Sequence, residues 1–258
     1  MENALLIGLS RQMALNHELD IVANNIANID TTGYKADNAT FAEFLMPQAR
    51  EDAFTGNDRR VSFVQDRSSW IDLSQGSIQR TGNPLDITIN GNAYLVVQTP
   101  RGQRYTRNGA LQINATGQLV TSEGYQVVGD GGPITFQQSD HDIVISASGI
   151  ITVRAGADTA DSPRGRLQIV GFDRPQLLQK DGGSTFMPPN GVTPTAAPQG
   201  TRVVQGAIEK SNVRAVYEMT RMIEITRNYN DIAAVLQQQG EQRRNALQQL
   251  SQLPTSGS

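Results

Sequence analysis

The sequence predicts a mainly β protein with an α-helix at each end. Three observations carry this: an apolar stripe of heptad spacing opens the chain, a second closes it, and the middle alternates short apolar runs with X-Gly dipeptides. The middle runs follow one another without intervening helical periodicity, which indicates antiparallel sheet rather than βαβ units. A β-sandwich or an irregular barrel is expected there, with the two terminal helices forming a coiled-coil-like pair.

The first helix belongs to an N-terminal segment, residues 1–33. Its apolar positions Leu15, Leu19, Val22, Ile26 and Ile29 step alternately by four and three, the rhythm of a coiled-coil seam. No Pro or Gly interrupts residues 9–32, and Asn28-Ile29-Asp30-Thr31-Thr32-Gly33 then supplies a stop, because Gly takes the left-handed conformation favoured at a helix C-terminus. Asn24, Asn25 and Asn28 fall within this stretch despite the middling helix propensity of asparagine. Apolar spacing alone fits an intramolecular helical hairpin equally well. Amides at or beside a seam specify register and partner at some cost in stability, a pattern that suits assembly between chains.

Residues 34–80 form an extended connector. Short apolar clusters (Phe41, Phe44-Leu45-Met46, Trp70-Ile71) alternate there with a polar, Gly-containing patch from Asp52 to Arg60, expected to be mobile on its own.

Residues 81–180 make the β domain. Leu85 to Ile89 alternates strictly, Tyr94-Leu95-Val96-Val97 reads as a buried strand, and Tyr125 to Val128, Ile143 to Ile145, Ile150 to Val153 and Leu167 to Val170 continue the series. Between them lie Asn90-Gly91, Asn108-Gly109, Thr116-Gly117, Glu123-Gly124, Gly131-Gly132 and Ser148-Gly149, dipeptides that supply positive φ at hairpin turns. Residues 181–204, with Gly182-Gly183, Pro188-Pro189, Pro194 and Pro198, read as a linker.

The last segment, residues 205–252, reads as the second helix. Ile208, Asn212, Ala215, Met219, Met222, Thr226, Tyr229, Ala233 and Leu236 repeat the four-three step, and Ser211 or Asn212 is a candidate N-cap. These side chains are small or polar for a self-sufficient helix. Each terminal stripe is thin, and a thin stripe is best buried against neighbours, including neighbours from other chains.

Composition excludes several functions. The formal charge of −3 lacks the cation surplus that a nucleic-acid binder needs to displace phosphate counterions. Without cysteine there are no disulfides, thiol nucleophiles or Cys-based metal sites, and two histidines exclude a His-rich centre. No apolar run approaches 18 residues, so no membrane insertion is expected. Met1 to Gly8 has no basic n-region and too short an apolar stretch for a secretory signal, which argues against the ordinary secretory route.

No catalytic, cofactor or metal site is expected. Gly129-Asp130-Gly131-Gly132-Pro133 lacks the Lys-Ser/Thr and following helix of a phosphate loop and reads as a tight turn, and no G-x-S-x-G elbow exists. His17 reads as a surface or interface residue, and Asp140-His141-Asp142 as a solvated loop ahead of a strand. A secreted sugar-binding β domain or glycoside hydrolase stays open at this point, since the separation of paired carboxylates is spatial. With Trp70 the only tryptophan, a sugar-stacking cleft has little to be built from.

Four separated blocks resemble the flagellar axial proteins, the family of rod and hook subunits. Ala23-Asn24-Asn25-Ile26-Ala27-Asn28 with Thr31-Thr32-Gly33-Tyr34-Lys35 is similar to the family's N-terminal signature. Thr81-Gly82-Asn83-Pro84-Leu85-Asp86, running through Ile89 to Gly91, and Tyr105-Thr106-Arg107-Asn108-Gly109 resemble its central blocks. Glu209-Lys210-Ser211-Asn212-Val213, with Glu218, Met222-Ile223 and Arg227-Asn228-Tyr229 beyond it, resembles the C-terminal signature. Length and the central blocks are most like the rod members that carry a β domain, a proximal-rod subunit ahead of a distal-rod one.

The resemblance implies a structural subunit, exported without a cleaved signal by the flagellar type III apparatus and polymerising in the periplasm with copies of itself and other rod subunits. Interface residues expected on that basis are the seam positions Leu15, Leu19, Val22, Ile26, Ile29, Ala215, Met219, Met222, Tyr229 and Leu236, with Asn24, Asn25, Asn28 and Asn212.

Overall fold

The computed structural model describes residues 2–46, 61–156 and 160–251. The Asp52 to Arg60 patch lies outside the described residues. The chain divides into two compact units, one of Met1–Ile26, Asp37–Trp70 and Ala215–Ser258, the other of Ala27–Ala36 and Ile71–Arg214.

In the first unit, helix α1 spans Glu2–Ala27 and α2 spans Ala215–Ser251. Strands β1 (Asp37–Met46) and β2 (Val61–Ile71) form a two-stranded sheet, so the expected connector contains a hairpin. The helices run antiparallel: Glu18 meets Arg221, Asn25 meets Glu218, and Gly8 lies against Leu236. Among the described residues, no helix is long and apolar enough to cross a membrane.

Both helices are shorter than the sequence suggests. After Ala27 the chain turns, the Thr31 N–H reaching the Asn28 carbonyl at 3.2 Å, and Gly33 takes φ +70°. At the other end, Ile208 is in a strand and Asn212 in irregular backbone, so α2 starts at Ala215 rather than near 205.

Among the described residues the second unit holds seventeen short strands, in chain order: β3 (Ile78–Arg80), β4 (Ile87–Asn90), β5 (Tyr94–Thr99), β6 (Gly102–Thr106), β7 (Leu111–Ile113), β8 (Leu119–Thr121), β9 (Gln126–Gly129), β10 (Gly132–Pro133), β11 (Asp140–Ile145), β12 (Ile150–Ala155), β13 (Ser162–Arg166), β14 (Ile169–Gly171), β15 (Gln179–Lys180), β16 (Thr185–Met187), β17 (Thr195–Ala196), β18 (Arg202–Gln205) and β19 (Ala207–Glu209). The main sheet runs β15-β16-β6-β5-β9-β8-β7, with β10 on β9, and with β14 on β5 and β17. It ends at β15 and at β7, so it is open and the expected barrel is not closed. A three-stranded sheet β11-β12-β13 and the pairs β18-β4 and β19-β3 complete the unit, and the strands of these sheets pair antiparallel.

Strand β5 explains its own unbroken apolar run. Successive side chains of a strand point to opposite faces. Leu95 and Val97 join a core of Ile87, Ile89, Leu111, Leu119, Val127 and Ile151, while Tyr94 and Val96 join a second cluster with Tyr105, Phe172 and Phe186. Buried on both faces, the strand cannot alternate in polarity.

Most of the expected turn glycines take positive φ: Gly91, Gly117, Gly124, Gly132 and Gly149. Gly109 does not. A Cβ there would lie 1.8 Å from the Ile87 carbonyl oxygen, so this glycine serves close backbone approach, and the Ile87 N–H bonds the Gly109 carbonyl at 2.9 Å. The 129–133 segment is a turn between β9 and β10, with Gly132 opposite Gly129.

Candidate functional site

The motifs read from the two ends meet in the second unit. Segment 209–212 lies between segment 33–36 and segment 72–77. The Gly33 N–H donates to the Glu209 carbonyl at 2.8 Å, the Ala36 N–H to Asn212 Oδ1 at 2.7 Å, and the Lys210 N–H to the Ser77 carbonyl at 2.9 Å. Asn212 Nδ2 donates to the carbonyls of Asp72 and Ser74 at 2.8 and 3.2 Å. Asn212 thus joins three backbone segments rather than capping α2, while Ser211 Oγ accepts the Val213 N–H at 3.2 Å.

At the centre is a buried ion pair. Lys35 Nζ lies 2.5 Å from Glu209 Oε1, with the side chains 0% and 1% exposed, and also donates to the Ser74 carbonyl at 2.6 Å. Glu209 Oε1 accepts the Gly76 N–H at 3.0 Å as well. Arg107, equally buried, donates through Nη1 to the Ile89 carbonyl at 3.0 Å. Its guanidinium lies over the Tyr94 ring, 5.5 Å from the centroid. Glu209 Oε2 stands 3.8 Å from Arg107 Nη1, and among the described residues neither this oxygen nor Arg107 Nε has a hydrogen-bond partner.

Burial pushes the Lys35 ammonium below its ordinary range, and Glu209 opposes that shift. Desolvation likewise raises the Tyr94 phenol, while Arg107 opposes it. Two cations share one carboxylate in an apolar interior, and each is anchored to a carbonyl. Such burial is tolerated only when charges are paired and hydrogen-bonded.

The surrounding motif residues shape this site. Gly33 must be glycine on two counts, its positive φ and its distance of 2.4 Å from a would-be Cβ to the Arg107 carbonyl carbon. Tyr34 is buried, with the Lys180 ammonium 3.9 Å from its ring centroid. Thr81, Asn83 and Asp86 close a polar loop: Thr81 Oγ1 donates to Asp86 Oδ2 at 2.7 Å, and Asn83 Nδ2 to Oδ1 at 3.0 Å. The Asp86 carbonyl then receives the Gly206 N–H at 2.7 Å, ahead of β19. Thr106 Oγ1 donates to the Ser184 carbonyl at 2.8 Å.

In the helical unit, Asn25 is fully buried. Its Oδ1 accepts the Asp37 N–H at 2.9 Å and its Nδ2 donates to the Asp37 carbonyl at 2.8 Å, so the amide pairs with that residue as a neighbouring strand would. The same Nδ2 approaches Glu218 Oε1 at 3.4 Å. Glu218 is 4% exposed and its Oε2 has no hydrogen-bond partner. Burial raises its pKa above the ordinary carboxylate value, against the opposing influence of Arg221 and the Asn25 bond. Arg221 pairs with Glu18 at 2.7 Å.

Val22 is fully buried, and Leu15, Leu19 and Ile26 are half-buried on α1; Ile29 is half-buried beyond its end. On α2 the register differs from the sequence reading. The buried positions are Glu218 and Ile225, one residue off the expected line, with Ala215, Tyr229 and Leu236 half-buried. Met219 and Met222 are 52% and 36% exposed, and they share the surface with Val216 at 80% and Ile223 at 53%. Asn24 is exposed and Asn28 half-buried, its Oδ1 accepting the Thr31 hydroxyl at 3.1 Å.

Spacing did not single out Glu209 or Glu218 for burial. The usable signal was one acid closing each of two otherwise apolar or small stretches, Ala207-Ile208-Glu209 and Ala215-Val216-Tyr217-Glu218. Asp140 is held by Arg164 at 2.5 and 2.7 Å, which keeps its carboxyl below the usual range. Among the described residues no cluster of three or more His, Cys, Asp or Glu is placed to hold a metal ion.

Two terminal helices, a β unit and motifs from both chain ends that meet within it define the class, that of a structural protein. Three family models match in chain order: "Flagella basal body rod protein" over residues 5–35, "Flagellar hook protein FlgE/F/G D1 domain" over 88–153, and "Flagellar basal body rod FlgEFG protein C-terminal" over 204–249. The chain belongs to the flagellar basal-body rod protein family and is a structural subunit of the rod.

It is 37% identical to the flagellar basal-body rod protein FlgF of Caulobacter vibrioides, covering 98% of this chain and 100% of that one. It is 31% identical to FlgF of Mesorhizobium japonicum over 97% and 98% of the two chains. FlgG of Agrobacterium fabrum is 32% identical over 88% of this chain and 91% of its own. Membership places the chain in the basal body, assembled with other rod subunits.

Proposed function

We propose that the chain fills the place of FlgF in the proximal rod. Its terminal helices pair in a coiled-coil-like manner and pack against those of neighbouring copies and other rod subunits. Together they form the inner tube of a hollow shaft that carries torque from motor to hook. The subunit reaches the periplasm unfolded through the flagellar type III export apparatus, without a cleaved signal. Heterologous contacts that do not close into a ring generate such helical filaments.

The observation that carries the reading is the exposed apolar surface of α2. Val216, Tyr217, Met219 and Ile223 are each more than half exposed, on a helix whose inward face already holds Glu218 and Ile225. Leu9 and Met13 add to it on α1, at 45% and 66% exposed. Contiguous exposed apolar side chains mark interaction surfaces. The seam residues named from the sequence serve on both faces, Val22 within the subunit and Met219 and Met222 between subunits.

A Met219→Asp, Ile223→Asp double variant tests this in a strain lacking the native gene. The variant is expected to be exported and to leave the β unit folded, yet to yield no basal bodies with complete rods. Normal rods built from that variant refute the reading. Limited proteolysis of dilute protein adds a second check, because thin stripes cannot offset chain entropy unaided. Termini are cut first on this account; resistant termini with a digested centre contradict it.

A further inference from the structure

Chain order and burial together raise a question of folding sequence. Residues 33–36 and Arg107 are synthesised well before Glu209, and Lys35 is 174 residues away from the carboxylate it needs. Until that carboxylate arrives, closing the unit at Lys35 means burying two cations, Lys35 and Arg107, with only the weaker influence of Asp72 to oppose the charge on Lys35. A buried charge without full pairing is strongly disfavoured, so the open and hydrated arrangement is favoured over the closed one.

Neutral contacts point the same way. The Gly33 N–H and the Ala36 N–H both find their acceptors on the 209–212 segment, at the Glu209 carbonyl and at Asn212 Oδ1. Gly76 is packed so closely on Lys210 that a Cβ would lie 1.9 Å from its carbonyl oxygen. By contrast, the centre of the main sheet is self-sufficient without the C-terminal segment. Strand β5 pairs with β6 on one side and β9 on the other, and their inward side chains join the apolar clusters.

We propose that the 207–212 segment is the closing element of the second unit, and that insertion of the Glu209 carboxylate between Lys35 and Arg107 is the step that lets residues 33–36 dock. The N-terminal motif therefore stays open until the C-terminal motif has arrived. A chain still lacking its C-terminus presents a folded β centre and an undocked Thr32 to Ala36 segment. This coupling goes beyond the rod reading and does not depend on it.

Pulse-labelling hydrogen exchange during refolding of the full-length chain tests the order directly. Amides of β5, β6 and β9 are expected to gain protection first, and those of Gly33, Ala36 and Lys210 later and together. Simultaneous protection of all of them, or earlier protection of Gly33 and Ala36, overturns the proposal.

Two variants complete the test. Glu209→Gln keeps the shape and removes the charge; it should lower protection at Gly33 and Ala36 by on the order of tenfold or more while β5 and β6 stay as in the parent. Lys35→Met in the Glu209→Gln background should recover part of that loss, because one buried cation is gone. Unchanged protection at Gly33 in Glu209→Gln, or a uniform loss across both regions, overturns the role given to the carboxylate. Should Glu209→Gln fail to fold, refolding of the parent chain still decides the order.

Discussion

Asn25 and Asn212 hold consecutive residues of one short stretch of backbone: Asn212 Oδ1 accepts the Ala36 N–H and Asn25 Oδ1 accepts the Asp37 N–H. One asparagine comes from the N-terminal motif and the other from the C-terminal motif. Each side chain also donates, Asn25 to the Asp37 carbonyl and Asn212 to the Asp72 carbonyl. An amide offers a donor and an acceptor in the geometry of a peptide group, which is why asparagine can replace a missing strand neighbour here.

Asn25→Ala removes both of the bonds that Asn25 makes to the Asp37 backbone. Each lost bond to a buried group costs about 1–3 kcal/mol. The helical far-UV signal of Asn25→Ala is expected to melt at lower urea than that of the parent, while the β unit melts unchanged. An equal loss in both units contradicts a role local to α1 and β1.

Lys35 and Glu209 should behave as a pair. Breaking a buried ion pair by removing one partner costs about 3–5 kcal/mol, whereas apolar replacement of both is close to neutral. Glu209→Leu alone is therefore expected to be strongly destabilising in urea titration, and Lys35→Met with Glu209→Leu to be substantially less so. Additive losses in the double variant mean that the two charges do not interact.

Glu218 makes the helical unit sensitive to pH. Its folded-state pKa is raised above the ordinary 4.5 by burial. The folded state therefore keeps a proton that the unfolded chain has released. Its contribution is fully present below the ordinary value and is lost as pH rises through the raised one. Helical signal measured across that range should fall with pH in the parent and stay flat in Glu218→Gln. The same slope in both proteins shows that another group titrates.

Two glycines make a contrast of mechanism. Gly109 has no positive φ but a Cβ would sit 1.8 Å from the Ile87 carbonyl oxygen; Gly82 has φ +75° with nothing within 4 Å. Gly109→Ala must displace backbone between β4 and β7, while Gly82→Asn meets only a conformational preference that asparagine tolerates. Thermal melts should show a large loss for the first and, for the second, a loss within about 1 kcal/mol. Equal losses contradict the packing argument at Gly109.

These contrasts mark how far the sequence could be read. Strand β5 was legible because four apolar residues in a row need two covered faces; the positive φ of Gly33 was legible too, but α1 ends at Ala27 and that glycine serves close packing on Arg107 instead of the helix stop. Strand β19 was not: Ala207-Ile208-Glu209 continues the heptad spacing of the helix that follows, so period alone extends the helix backward. The one-residue offset on α2 has a similar cause. Its two candidate lines differ little in hydrophobicity, and the line that is buried includes Glu218, which hydrophobicity places outside. Burial of Glu218 depends on Asn25, almost the whole chain away, and no local pattern reports it. The Lys35 site is legible only in part, since its residues are visible as family blocks while their meeting is a property of the fold.

The central claim is that the exposed face of α2 is an interface between subunits of the rod. Electron cryomicroscopy of isolated basal bodies, at a resolution that traces side chains, tests it most directly. The account predicts Val216, Met219 and Ile223 covered by helices of adjacent subunits in the proximal rod. The same three side chains facing solvent in the assembled rod would contradict it.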